Sequence, residues 1–397
     1  MQKRHEEGNV WKRTSSRVYF GHQDMDFYFR WILGIQAHDG SSAGECFYTA
    51  SHIEDGDPLS WQIAWRELAE RVEARAEDSL RNRHRVSARE GYLRATTYFR
   101  APVSLMSPRN PDFMKLVGKF QTCFRRAAAL FDLPFEPLEI AFEGQALPAY
   151  FLKVAASGAR RKTLIMIGGG ETFVEDLYFY IGPAARRRGY NVLLVDLPGQ
   201  GITPASGLYF RTDTDVPMKV IVDYLLTRPD VDPDRLAVYG ISGGGLMVPR
   251  ALTVEKRIKA CIANPPYYDS ARVNAATRSM RAGGLDAIAT SFWEQLCWRS
   301  TGQCDLGKID RAEAAKTQGR NCYDPHQVMC PTLCLAGAGE LPDWIDQARE
   351  FYEMLPTSTK AFHLLTAEDG AEGHCNFDNL ALMSQIVFDW LDEVFDR

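Results

Sequence analysis

Residues 240–244 read Gly-Ile-Ser-Gly-Gly, between an apolar run of strand character, Arg235-Leu-Ala-Val-Tyr239, and a stretch that looks helical, Leu246-Met-Val-Pro-Arg-Ala-Leu252. A serine flanked this way lies on a sharp strand-to-helix turn. Glycines are needed there because side chains would collide, and the strained turn lifts the Ser242 hydroxyl clear of the sheet. The next amide, that of Gly243, then faces whatever the hydroxyl attacks. The motif is short enough to arise by chance in a chain of 397 residues. Its meaning comes from its setting: an acid and a histidine follow in order, each at the end of a predicted strand.

From residue 135 onward, strands and helices alternate. Apolar runs at 162–167, 191–195, 235–239, 258–262, 332–336 and 361–365 predict strands, and helices are expected at 175–188, 216–227, 343–354 and 379–395. This is the mark of an α/β fold with a mainly parallel sheet covered on both faces. Two further strands, 138–142 and 147–152, flank the turn Glu143-Gly144. Residues 271–328 break the rhythm, since one helix would suffice there; with Phe292, Trp293, Trp298 and Tyr323 among polar residues they read as a helical lid.

Residues 1–134 read as a helical cap or dimerisation domain ahead of a catalytic domain at 135–397. Asp57 before Pro58 caps one helix, whose apolar face carries Trp61, Ala64, Trp65, Leu68, Val72 and Leu80. Ser87 and Glu90 have the spacing of a capping box. A third helix opens at Asn110-Pro111 and buries Phe113, Leu116, Val117, Phe120, Phe124 and Phe131.

Composition narrows the function. Hydrophobic residues make up 45% of the chain, enough for a sizeable core, and a net charge of −5 argues against nucleic acid or an anionic membrane as partner. The one basic run, Arg186-Arg187-Arg188, ends a predicted helix, where cations complement the dipole. The stretch 1–17 is polar, without the apolar core of a signal peptide, and no apolar run reaches the length of a membrane span. The nine cysteines lack paired metal-type spacing. These features predict a cytoplasmic protein with a small-molecule substrate, no metal and no cofactor.

Serine is a weak nucleophile until a base, itself oriented by a third group, takes its proton. His374, in the glycine-containing loop between the last strand and the terminal helix, is placed for the base. Glu340, after the strand 332–336 and the flexible Gly337-Ala338-Gly339, is the first choice for the acid, with Asp343 and then Asp269 as alternatives. Gly243 supplies one oxyanion donor, and the run Gly168-Gly169-Gly170 after a strand supplies the second through Gly169 or Gly170. A phosphate-cradling loop is the competing reading of those glycines, but neither G-x-G-x-x-G nor G-K-[ST] accompanies them. Glu171 reads as a substrate-contacting acid or a structural ion pair, and Tyr209, Phe210, Tyr267 and Tyr268 as candidates to line an aromatic pocket.

The segments Val222-Asp-Tyr-Leu-Leu-Thr-Arg-Pro-Asp-Val-Asp232, Gly240-Ile-Ser-Gly-Gly244 and Arg257-Ile-Lys-Ala260 resemble one branch of the α/β-hydrolases. That branch holds 2,6-dihydroxypseudooxynicotine hydrolase and fungal polyketide-shortening hydrolases of the melanin pathway. The similarity runs from about Phe27 to the C-terminus. It implies an α/β-hydrolase fold, a homodimer and a triad that maps onto Ser242, Glu340 and His374, with C–C bond hydrolysis beside a ketone as the first expectation. Ester, thioester or peptide hydrolysis by the same triad, acyl transfer or cyclisation through an acyl-serine, and a non-catalytic binding role are the alternatives. Glu340 stands where an aspartate is usual, and Gly170-Glu171-Thr172 replaces the more familiar Asp-Ser.

Overall fold

A computed structural model of the chain describes residues 12–156, 158–273, 284–306 and 321–396. Its centre is one sheet of eight strands: β1 (Glu136–Phe142), β2 (Gln145–Leu152), β3 (Arg161–Ile167), β4 (Asn191–Val195), β5 (Val231–Ile241), β6 (Ala260–Asn264), β7 (Thr332–Gly337) and β8 (Lys360–Leu365). They lie in the order β1-β2-β4-β3-β5-β6-β7-β8. β1 and β2 form an antiparallel hairpin, and β2 meets β4 antiparallel. All pairs from β4 to β8 are parallel, with Thr163 opposite Asn191 and Ala237 opposite Ala260. Strands β3, β5, β6 and β7 therefore point the same way, and the loops leaving their C-terminal ends gather along one edge.

The sheet is buried on both faces because its side chains alternate between two cores. On β3, Leu164 and Met166 enter one core while Ile165 and Ile167 enter the other. The first core contains α6 (Val174–Arg187), the terminal helix α11 (Leu380–Phe395) and the five N-terminal helices. The second is closed by α7 (Asp215–Leu226), α8 (Gly244–Leu252) and α10 (Pro342–Met354). The N-terminal helices are α1 (Gln23–Gly34), α2 (Ala43–Ala50), α3 (Pro58–Arg81), α4 (Arg85–Ser104) and α5 (Phe113–Ala129). They share a continuous core with one face of the sheet instead of forming a core of their own.

Several expectations for this region change. Helices α1 and α2 precede the first one read from the sequence. Asp57 does cap α3, accepting the amides of Leu59 and Ser60 at 3.0 and 2.9 Å. Leu80, assigned to the buried face of α3, lies in its last turn and is 40% exposed. The capping box at Ser87 is not formed: Arg83 takes a left-handed φ of 62°, and the next helix starts at Arg85. That turn brings the helix in earlier and leaves Ser87 inside its first coil. Phe131 lies beyond the end of α5 and stacks on Phe135 at 4.5 Å. Of the expected lid at 271–328, stretches 274–283 and 307–320 lie outside the described residues. The described part contains α9 (Ala287–Thr301), capped by Asp286. Among the described residues no helix is long and apolar enough to cross a membrane.

Candidate active site

Strand β5 ends at Ile241, and Ser242 follows with φ +52°, in the left-handed region that costs a non-glycine residue about 1–3 kcal/mol. The turn is held by the Ser242 amide, which donates to the Asn264 carbonyl at 2.7 Å. Gly240 is required by close approach: a Cβ there would lie 2.2 Å from the Gly244 carbonyl oxygen. The hydroxyl so presented reaches His374, with Oγ 2.9 Å from Nε2. On the far side of the ring, Nδ1 lies 2.9 Å from Glu340 Oε2. The other carboxylate oxygen accepts the Gly337 amide at 3.1 Å, which anchors the acid to the end of β7. Both His374 and Glu340 are buried.

Alcohol, imidazole and carboxylate therefore form one hydrogen-bonded line from three loops. An imidazole so placed can take a proton from the hydroxyl while the carboxylate holds its ring. Asp343 sits in the first turn of α10, whereas the carboxylate on Nδ1 is that of Glu340. Asp269 accepts the Ala271 amide through its side chain. The edge of Trp344 packs against the imidazole at 4.7 Å between ring centroids.

The glycine loop after β3 comes close enough to complete the site. A Cβ on Gly169 would sit 2.6 Å from Ser242 Cβ and 3.4 Å from the Gly243 nitrogen. A Cβ on Gly243 would sit 3.1 Å from the Gly170 nitrogen. The Gly170 nitrogen is thus close to Gly243, and the glycine loop packs directly against Ser242. Gly243 precedes α8, so its N–H has no intrahelical partner.

Buried polar side chains that sequence reasoning missed hold these loops in register. Gln200, fully buried, donates to the carbonyls of Gly168 and Gly169 at 2.5 and 3.1 Å. In a trans peptide the N–H points opposite to the C=O, so this one amide orients the N–H groups of Gly169 and Gly170. Arg100 and Arg299, both buried, donate to the Glu171 carbonyl at 2.9 and 3.2 Å. Asn264 also donates through its side chain to Asn376 at 2.9 Å, tying the serine turn to the histidine loop. The position of Asn264, at the end of a predicted strand before two prolines, was the available signal.

The N-terminal segment belongs to the site too. His374 N–H donates to the Arg13 carbonyl at 2.8 Å, and the hydroxyls of Ser15 and Ser16 both donate to Glu372. The Arg13 guanidinium turns inward to Glu171 at 3.3 Å and lies over the Phe27 ring at 4.4 Å. Of the residues proposed to line a pocket, Glu171, Phe210 and Tyr267 do so. Tyr268 instead hydrogen-bonds Glu350 at 2.5 Å, and Tyr209 packs at Gly302 at the end of α9. Neighbouring residues on an extended segment face opposite ways, so one of each aromatic pair turns from the cavity.

The sequence profile of the alpha/beta hydrolase family matches residues 164–369, a range that includes Ser242 and Glu340 and ends five residues before His374. The 20-hydroxy-prefusarin hydrolase FUS2 of Gibberella moniliformis is 34% identical, over 95% of this chain and 97% of that one. The chain belongs to the alpha/beta hydrolase family. Hydrolase ORFZ of Pyricularia oryzae is 31% identical to this alpha/beta hydrolase, over 95% of this chain and 98% of its own. Among solved structures, 2,6-dihydroxy-pseudo-oxynicotine hydrolase superposes with a TM-score of 0.72. It covers 91% of this chain and 95% of its own at 20% identity, a likeness of fold that includes the N-terminal helices.

Proposed function

We propose that the chain is a serine hydrolase that cleaves a C–C bond beside a ketone, in a β-dicarbonyl or polyketide-like compound with aromatic character. His374 takes the Ser242 proton as Oγ bonds to the carbonyl carbon, and the carbonyl electrons move onto oxygen between the amides of Gly243 and Gly170. When that oxygen re-forms its double bond, the bond to the α-carbon breaks and its electron pair passes into the leaving enolate. His374 then protonates the α-carbon. Water, deprotonated by the same imidazole, then attacks the acyl carbon; as that intermediate collapses Oγ leaves, takes the proton back from His374, and an acid is released. Glu340 stabilises the imidazolium, and no metal or cofactor enters these steps.

The observation that carries this reading is the run of two 2.9 Å bonds from Ser242 through His374 to Glu340. The names of the similar proteins, both hydrolases of elaborate carbon compounds, support the substrate class. The aromatic and apolar cavity walls suit a bulky substrate. A fluorophosphonate probe should label Ser242 in the wild type and leave Ser242→Ala unlabelled; an unlabelled wild type would sink the serine mechanism. Turnover of a matched ester and β-diketone reads which carbonyl is preferred. Release of an acid carrying oxygen from labelled water separates hydrolysis from acyl transfer or cyclisation. The implied homodimer is part of the proposal, and sedimentation velocity reads it directly.

A further inference from the structure

Two chambers meet at Ser242. One lies on the His374 side against α1, and the other, the larger of the two, lies beyond Gly243 beneath α9. Among the described residues, Gly170, Glu171 and Ser242 are the three that line both. Ser242 carries the hydroxyl and Gly170 an amide for the oxyanion. The third member of the partition, Glu171, therefore borders the atoms next to the attacked carbonyl and not either far end of the substrate.

Glu171 is fixed in place. The Tyr28 phenol donates to Oε1, and Arg13 donates to Oε2 at 3.3 Å. Arg13 is itself buried, with its guanidinium over the rings of Phe27, Tyr28 and Phe292. Burial and the neighbouring carboxylate push the Tyr28 phenol well above its ordinary pKa, so it stays a donor to Glu171. A carboxylate has about four acceptor positions, so these two bonds leave capacity over. The side chain keeps 22% of its surface exposed, where it borders the chambers. Arg13 offsets its charge, so Glu171 can accept a donor without opposing negative charge on the oxyanion nearby.

We propose that Glu171, held by Arg13 and Tyr28, recognises the hydroxyl that a β-dicarbonyl substrate presents at the β-carbon of the attacked ketone in its enol tautomer; a β-hydroxy ketone is an uncleaved mimic of that donor. This rests on the reading of Ser242 and Gly170 given above, and it narrows the substrate from ketones in general to those oxygenated at that carbon.

Binding tests it without requiring turnover. In Ser242→Ala protein, calorimetry compares β-hydroxybutyrophenone with butyrophenone, which lacks only the hydroxyl. The hydroxy ketone should bind on the order of 10-fold more tightly, the usual worth of a charge-assisted hydrogen bond. Adding Glu171→Gln should reduce that preference to about 3-fold or less, the range of a neutral bond. If that variant does not fold, Glu171→Asp serves, because it withdraws the carboxylate by one methylene and should erode the preference too. Equal affinity for the two ketones, or a preference that survives both substitutions, overturns the proposal. Failure of Ser242 in the wild type to react with the fluorophosphonate would sink the hydrolase reading instead, and is scored separately.

Discussion

At the scale of single residues, Ser242 is held in a strained conformation whose use is to point Oγ at His374, and Glu340 sets the direction of that ring. Glu340→Gln keeps the shape but presents an amide where the imidazolium needs a negative charge. It should lower kcat by about 10⁴-fold with little change in KM, as when the acid of such a triad is neutralised. Steady-state kinetics on a chromogenic ester would show this, and activity near the wild-type level would transfer the role to another acid. Gln200 acts at one remove, through the two carbonyls it fixes. Gln200→Leu should reduce kcat by about 10–100-fold, short of the full loss of an oxyanion donor. Affinity for a boronic acid that mimics the tetrahedral state should fall in parallel, while affinity for a substrate-like ketone stays near its original value.

At the scale of elements, the first turn of α6 carries an unusual load. Glu175 is buried there, accepting the Tyr150 hydroxyl at 3.2 Å, with Asp176 next to it in sequence. Burial, with Asp176 adding repulsion, pushes Glu175 from 4.5 up to about 7. Burial also raises Asp196, which accepts the Val174 amide at 3.1 Å. A carboxyl with a raised pKa binds its proton more tightly in the folded chain than in the unfolded one. Its contribution to stability is therefore highest at low pH and declines as pH climbs from about 4.5 through about 7. Glu175→Gln, which is neutral throughout, should raise unfolding free energy by on the order of 1–3 kcal/mol at about pH 8 and much less near pH 5. Denaturant melts at the two pH values test this, and an equal effect at both would rule out the titration.

At the scale of the whole molecule, the N-terminal helices and the sheet are one body around one active site. Residues 13–16 touch the histidine loop directly, and Arg13 reaches Glu171 on the far side of Ser242. A chain beginning after Arg17 should keep the circular dichroism of the sheet and helices, because β1 to β8 and both cores remain. It should nevertheless lose at least about 10²-fold in activity, since a small displacement of a reacting group costs that much. Full activity in the shortened chain would show that this segment only covers the site.

The strand and helix alternation was readable because burial imposes a strict periodicity, and six predicted strands lie within a few residues of β3 to β8. Ser242 and His374 were readable for a related reason: a glycine-flanked turn and a loop after the last strand are local patterns with few uses. Glu340 could be ranked ahead of Asp343 in the sequence but not separated from it, since both lie just after β7 and the choice depends on which carboxylate a distant ring meets. Gln200, Asn264 and Arg13 gave still less, because a buried polar residue looks ordinary until its partners are known, and the site partners Gly169, Asn376 and Glu171 lie 31, 112 and 158 positions away from them in the chain. Local periodicity acts through neighbours in the chain and can be read along it. Convergence of remote loops is a property of packing, and it exists only once the two cores have closed on the sheet.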